Sequence, residues 1–243
     1  MSKIEWTEET WNPTIGCTKV SAGCKNCYAE VMSRRLQFMN TPGYENSFEF
    51  SILQNRLTQP LKKKKPTKYF VNSMSDLFHE KMPIFFLDKI LDVIERTPRH
   101  IYQILTKRED TMFEYFKDRS IPQNIWLGVS VEDIKSGVPR IDKLRKLNVP
   151  VKFLSIKPLL EDVGLIDLSG IDWVIVGGES GSKARPMKKE WVINIQNQCI
   201  EQSVAFFFKQ WGTWGADGKR RSKKNNGRNL NGKEWSEFPE LVV

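Results

Sequence analysis

The sequence predicts an α/β protein, a TIM-like (β/α) barrel or partial barrel of six to seven parallel strands. Three observations predict it. Short β-branched or aromatic runs alternate with helix-like segments along most of the 243 residues, the pattern of strands joined by helical crossovers. The runs are apolar almost throughout, as in a sheet covered on both faces. Nearly every run ends in polar or reactive residues. A barrel gathers all such ends at one mouth, whereas an open sheet shares a site only near its switch point. The chain length is close to the roughly 250 residues of one such barrel.

The elements follow in order. Thr10 to Gly16 (TWNPTIG) is the first strand run and leads into a cysteine-bearing loop, 16–30. An insertion, 40–66, interrupts the rhythm; its LTQPLKKKKP, with four consecutive lysines (62–65) before Pro66, reads as a helix plus a surface loop over the mouth. Lys68 to Ser73 (KYFVNS) ends in Asn72, Ser73, Ser75 and Asp76. Pro83 to Arg96 carries apolar residues at helical spacing. Ile101 to Leu105 runs into Thr106, Lys107 and Arg108, and Asp110 to Phe116 reads as a helix. Ile125 to Val129 ends in Ser130 and Glu132, with a helix over Gly137 to Leu147. Val151 to Ile156 ends at Lys157, and Asp172 to Val176 at Gly177, Gly178, Glu179 and Ser180. A helix over Lys188 to Ser203 precedes the last run, Val204 to Phe208, which ends in Lys209 and Gln210. No clear eighth strand is visible. Residues 1–210 are therefore expected to form the barrel, and 211–243, rich in Gly, Lys, Arg and Asn, an irregular extension folding back on it.

Composition narrows the class. Hydrophobic residues make up 40% and charged residues 28%, as in ordinary globular proteins. No apolar run approaches the ~18 residues of a membrane span, and the start, MSKIEWTEETWNP, has no apolar h-region. A cytoplasmic protein without membrane contact is expected. The net charge of +9 attracts polyanions, so nucleic acid or a phosphorylated metabolite is an expected partner.

Cysteine usage carries the chemistry. Cys17, Cys24 and Cys27 fall within eleven residues at Cys-x6-Cys-x2-Cys spacing. In a reducing compartment such clustering points to metal or redox chemistry rather than cross-links. Thiolates select zinc, copper(I) or iron–sulfur clusters. Gly16 and Gly23 permit the turns that let cysteines converge. A closed zinc site needs four protein ligands; Cys199 or His79 would have to supply the fourth, and Cys199 lies on a helix-patterned segment where a buried thiol is the commoner role. An iron–sulfur site, a structural zinc site and three unligated cysteines remain the alternatives.

Three cysteines in one loop at the start of a barrel, with an aromatic, Tyr28, beside the last, resemble the radical S-adenosylmethionine (SAM) superfamily. The usual spacing there is Cys-x3-Cys-x2-Cys with the aromatic before the last cysteine; here the first gap is six and Tyr28 follows. Over almost its whole length the chain is identified as a member of a phage- and prophage-associated family of uncharacterised three-cysteine-motif proteins. The matching stretches are WNPTIGCTKVSAGCKNCYAE, FVNSMSDLFHE, ILTKR, WLGVSVE, FLSIKPLL, WVIVGGESG with ARPM, FFFKQWG and LNGKEWSEFPE. That family is radical-SAM-like and distantly similar to spore photoproduct lyase.

The resemblance implies that Cys17, Cys24 and Cys27 bind a [4Fe–4S] cluster, whose fourth iron takes SAM. An electron donor of flavodoxin or ferredoxin type would reduce it. A 5′-deoxyadenosyl radical would then attack a nucleic acid, nucleoside or nucleotide. Tyr28 would pack beside cluster or adenine, and Asn72, Ser73, Ser75 and Asp76 would bond the SAM amine or ribose. Gly178 would allow close backbone approach to a ligand and Glu179 would accept a hydrogen bond. Ser130 and Glu132 stand at another strand end. Lys107, Arg108, Lys157 and Lys209 would make the mouth cationic, suited to carboxylate or phosphate, with Arg185 a further anion site. The runs 62–65 and 219–224 would track a phosphate backbone, with Trp211 and Trp214 stacking on bases. Two competing functions are a zinc-dependent nucleic-acid-binding protein and a metal-dependent nuclease or hydrolase using Asp76, Glu132 and Glu179.

Overall fold

In the computed structural model, which describes residues 4–240, strands and helices alternate along the chain, and seven strands share one sheet. The chain divides into two units: Met1–Val20, Cys27–Leu127 and Leu147–Pro150 in the first; Ser21–Asn26, Gly128–Lys146 and Val151–Val243 in the second.

The first unit opens with β1 (Glu9–Trp11). Asn12 and Pro13 end it, since proline has no N–H for a ladder. The next two residues form β2 (Thr14–Ile15), which pairs antiparallel with β3 (Ser51–Ile52) in a separate small sheet. The run Thr10 to Gly16 is thus two strands rather than the single one its composition suggests. Helix α1 (Tyr28–Phe38) starts directly at the last loop cysteine. The 40–66 insertion is mostly turns around β3, and its only α-helix is the four-residue α2 (Gln59–Lys62).

Strand β4 (Lys68–Val71) pairs parallel with β1 and with β5 (Ile101–Thr106), in registers Trp11↔Val71 and Val71↔Ile104. Helix α3 (Ile84–Glu95) buries Phe86, Leu87, Ile90, Leu91, Val93 and Ile94, the helical-period stripe of its sequence. Helix α4 (Glu109–Phe116) buries Met112 and Phe116.

Strand β6 (Ile125–Ser130) belongs to the first unit as far as Leu127 and to the second from Gly128. Helix α5 (Arg140–Arg145) is shorter than the expected Gly137 to Leu147, because turns occupy its start. Strands β7 (Val151–Ile156), β8 (Trp173–Gly177) and β9 (Ala205–Gln210) pair parallel through Phe153↔Trp173 and Trp173↔Ala205. Helix α6 (Lys189–Glu201) precedes β9. The strand order is β1-β4-β5-β6-β7-β8-β9. This is the α/β order of a partial (β/α) barrel with seven strands in sequence.

The C-terminal segment holds a short α7 (Lys223–Asn226) and a hairpin of β10 (Asn229–Leu230) and β11 (Lys233–Glu234). It then runs antiparallel beside β9. Phe208 N donates to Trp235 O at 3.1 Å, Glu237 N to Phe206 O at 3.2 Å, and Phe207 bridges Ser236. Trp173 Nε1 donates to Glu237 O at 2.8 Å. No helix among the described residues is long and apolar enough to cross a membrane.

Candidate functional site

The cysteine loop begins with a backbone fixed from several sides. Gly16 has φ +77°, and a Cβ there would lie 2.1 Å from Glu49 O, so only glycine fits. Gly16 N donates to Met74 O at 2.9 Å and Cys17 N to Phe48 O at 3.2 Å. Ser75 Oγ donates to Gly16 O at 2.7 Å. The hydroxyl of Tyr28, the first residue of α1, donates to Ser73 O. Ser73 Oγ donates to Asn12 Oδ1 at 3.1 Å. Asn72, buried and at φ 56°, exchanges hydrogen bonds with Thr14, giving Nδ2 to Oγ1 at 2.9 Å and accepting from N at 3.4 Å. The polar ends after β4 therefore fasten the lead-in to Cys17.

Arg108, at the end of β5, is the hub of this region. Its side chain is 8% exposed and pairs with Asp76 at 3.2 Å. The same guanidinium donates to Cys17 Sγ at 3.4 Å, to Thr18 Oγ1 at 2.8 Å and O at 3.2 Å, and to Glu80 at 3.1 Å. Burial works against the Arg108 charge, but Asp76, Cys17 and Glu80 outweigh it and raise its pKa. Asp76 also accepts from Thr106 Oγ1 at 2.7 Å, Phe78 N at 3.0 Å and Lys107 N at 3.1 Å. Its carboxylate is thus fully engaged inside the protein.

His79 lies buried against Phe50, rings stacked at 4.4 Å. Its Nδ1 accepts from Lys81 N at 3.1 Å, and Nε2 stands 3.4 Å from Thr18 Oγ1. Burial, then the Arg108 charge, lower its pKa.

In the second unit the segment 21–26 is held in the same manner. Ser21 Oγ donates to Glu132 Oε1. A Cβ on Gly23 would fall 2.6 Å from the same oxygen, so glycine admits this approach. Glu132 pairs with Arg140 at 2.7 Å; the side chains are 0% and 3% exposed. Arg140 also donates to Ser130 O at 2.7 Å. Ser21 O accepts from Cys24 N at 3.0 Å, closing the short 3₁₀ turn that carries Cys24.

Glu179, after β8, forms a two-pronged pair with Arg185 at 2.6 and 3.0 Å. Burial pushes the Glu179 carboxyl up, but the Arg185 hydrogen bonds and charge outweigh it and hold its pKa below the usual value. The pair grips the loop as well. Asn26 Nδ2 donates to Glu179 Oε2 at 3.0 Å, and Arg185 Nη1 to Ala22 O at 3.0 Å.

One rule covers these contacts. Three carboxylates at strand ends, Asp76, Glu132 and Glu179, each pair with their own arginine, and each pair holds a different part of the cysteine loop. Asp76 and Glu179 carry the expected polar character, but all three carboxylates are matched by a cation, which does not suit the divalent-metal nuclease reading. Arg140, Ser21 and Asn26 were not singled out in the sequence. The signal for Arg140 was present: a lone arginine on the buried face of the apolar VPRIDKL stretch.

Gly178 permits close approach of protein backbone, since a Cβ there would lie 2.0 Å from Trp211 O. The Lys157 and Lys209 stems meet at Gly177, where an added Cβ would touch both at 3.4 to 3.5 Å. Trp211 is 2% exposed and its Nε1 donates to Asn229 O, so burial corrects the expectation that it stacks on bases. Trp214 donates to Ala184 O. Residues 219–224 are exposed, as are Lys62, Lys64 and Lys65.

All four cysteines are reduced thiols; Cys17, Cys24 and Cys27 are partly exposed, and Cys199 is buried. Burial pushes the Cys199 thiol up to about 12. Among the described residues no group of three or more His, Cys, Asp or Glu side chains is already gathered as for a metal ion. By chemical type alone the three partly exposed thiols are soft donors of the kind that iron–sulfur clusters take.

A family described as "Protein of unknown function (DUF5131)" matches residues 1–239. No curated protein matches the chain. Among solved structures, spore photoproduct lyase complexed with dinucleoside spore photoproduct is 13% identical with a TM-score of 0.43, over 76% of this chain and 58% of that one. A mutant of the same lyase, with bound AdoMet and dinucleoside spore photoproduct, is 12% identical with a TM-score of 0.44, over 69% and 55%. A cysteine-to-serine mutant is 16% identical with a TM-score of 0.46, over 73% and 57%. The chain thus spans little more than half the length of these structures.

Proposed function

This chain belongs to the DUF5131 family of proteins of unknown function, and from its anchored cysteine loop we propose that it is a radical SAM enzyme. The observation that carries this reading is that, within each unit, acid–arginine pairs hold the stretches of chain that carry the thiols: Asp76–Arg108 at Cys17, and Glu132–Arg140 and Glu179–Arg185 at the 21–26 segment that carries Cys24. A loop so held keeps its thiols presented while the rest of the fold stays fixed.

Cys17, Cys24 and Cys27 would hold a [4Fe–4S] cluster. Such a cluster would supply one-electron chemistry toward SAM bound beside it. The chain's own residues do the rest. Arg108 donates to the Cys17 sulfur and would balance the charge of a cluster-bound thiolate there. Ser21 and Glu132 anchor the turn carrying Cys24, while Asn26 with Glu179 and Arg185 anchors the residues before Cys27. Lys157 and Lys209, whose stems both border Gly177, would supply positive charge for the SAM carboxylate or a substrate phosphate. The +9 charge and the exposed run 219–224 support a nucleic acid, nucleoside or nucleotide substrate.

Anaerobic purification with iron and sulfide counting tests this. About four irons and four sulfides per chain are expected, with an electron paramagnetic resonance signal that changes on adding SAM and 5′-deoxyadenosine as product. A colourless protein with one tight zinc would overturn the reading.

A further inference from the structure

The guanidinium of Arg108 finds acceptors for its whole fork inside the first unit. Nε donates to Glu80 Oε2 at 3.1 Å, and Nη2 donates to Thr18 Oγ1 at 2.8 Å and to Thr18 O at 3.2 Å. Nη2 also stands 3.1 Å from the Glu80 carboxylate. Nη1 is shared between Asp76 Oδ2 at 3.2 Å and the sulfur of Cys17 at 3.4 Å. A guanidinium carries its N–H donors in a fixed, planar arrangement. One of them is committed to a sulfur although two carboxylates compete for the same group.

The fork is aimed from both ends. Arg108 is the N-cap of α4, and its backbone N donates to Thr106 Oγ1 at 2.9 Å. Thr106 Oγ1 in turn donates to Asp76 Oδ1 at 2.7 Å. At the far end, Thr18 Oγ1 accepts from Arg108 and donates to Glu80 Oε1 at 2.6 Å. Thr18 follows Cys17 directly, so the fork holds both the sulfur and the peptide next to it. The Arg108 side chain is 8% exposed, so water competes little for the N–H and screens it little. Asp76 and Glu80 offset the arginine's charge. What reaches Cys17 is a directed N–H rather than a net cation.

We propose that Arg108 is a positioning residue that sets the reduction potential of a cluster held at Cys17, an inference that rests on the radical SAM reading. One added electron raises the negative charge on a cluster and its sulfur ligands. A hydrogen bond strengthens as its acceptor gains charge. Arg108 therefore stabilises the reduced state more than the oxidised one and raises the potential. The electron comes from the reductant in solution; no bond forms or breaks and no proton moves.

The test is a dye-mediated dithionite titration of the cluster-loaded full chain, read by electron paramagnetic resonance. Arg108→Lys keeps the charge and removes the fork. At the potential that half-reduces the parent, its reduced-to-oxidised ratio should fall about tenfold, or about 59 mV for one electron. Thr18→Val removes an uncharged brace at an exposed position and should shift the ratio the same way by less. It also keeps the test open should Arg108→Lys fail to fold. Equal potentials in the parent and the folded variants overturn the proposal, and so does a rise. A second measurement needs no cluster: in the nuclear magnetic resonance spectrum of the cluster-free chain, Cys17→Ala should shift the Nη–H resonances of Arg108. Unmoved resonances overturn the hydrogen bond and the proposal with it. A chain that binds no reducible cluster sinks the radical SAM reading and the potential-setting role together, whereas a reducible cluster whose potential ignores Arg108 and Thr18 sinks this inference alone.

Discussion

Nη1 of Arg108 donates to Sγ of Cys17 at 3.4 Å while the same guanidinium pairs with Asp76 at 3.2 Å. The arginine therefore serves the fold and the thiol together. Arg108→Ala would leave Asp76 buried without a counter-charge, at a cost of about 3–5 kcal/mol. Arg108→Lys keeps the charge but loses the fork, and should fall between parent and alanine variant. Urea unfolding checks the order, and an alanine variant as stable as the parent would refute the hub role.

Glu132 and Arg140 form the most enclosed of the three pairs. Glu132→Gln or Arg140→Met alone should each cost about 3–5 kcal/mol, whereas replacing both with Met should recover a large part of it. A double-mutant cycle by chemical denaturation measures the coupling. Because Glu132 also accepts from Ser21, every variant lacking it should take up less iron per chain. Strictly additive losses would show that the two do not act as a pair.

Gly178 separates a structural from a ligand-binding role. Gly178→Ala should destabilise by more than about 4 kcal/mol or prevent soluble expression, because the new methyl meets a carbonyl oxygen rather than a movable side chain. Normal stability with altered ligand affinity would restore the ligand reading.

Thiol accessibility divides the cysteines. Iodoacetamide should label Cys17, Cys24 and Cys27 in the native chain and reach Cys199 only on unfolding, since burial pushes that thiol up to about 12. Iron loading should protect the first three. Peptide mass mapping decides; fast native labelling of Cys199 would contradict its placement.

Two groups near Thr18 set separate pH windows. His79 has its pKa lowered by burial and by Arg108, so the unfolded chain binds its proton first and stability falls as pH drops below about 6.5. Glu80 is held at about 2; burial opposes this, but the Thr18 hydrogen bond and Arg108 outweigh it. Its contribution is present above the usual carboxylate value and is lost as pH falls from about 4.3 toward 2. Melting temperature against pH should decline in both windows, and His79→Gln should flatten the upper one alone. An unchanged upper slope would count against a buried neutral His79.

Much of the fold was legible in the sequence, because β4 to β9 are short apolar runs whose ends change abruptly to polar residues. The three thiols were legible for the same reason of local spacing. What was not legible depends on long-range partners. Asp76 and Glu179 read as ligand-binding groups until Arg108 and Arg185 are seen to occupy them. Helix α1 has apolar residues on two faces, so its sequence shows no clean stripe. The TWNPTIG run divides because Pro13 breaks the ladder and β3, almost forty residues on, captures Thr14 and Ile15.

The stretch 235–237 lies along β9, the last strand in the sheet order. An uncovered outermost strand of AFFFKQ composition would offer unsatisfied amides and three phenylalanines to any neighbouring chain, a template for cross-molecule ladders and insoluble fibres. By occupying that border with its own C-terminal residues, and by placing lysines and arginines just upstream, the chain guards its stickiest margin. Trimming those last residues to simplify the protein would remove a safeguard rather than a dispensable appendage.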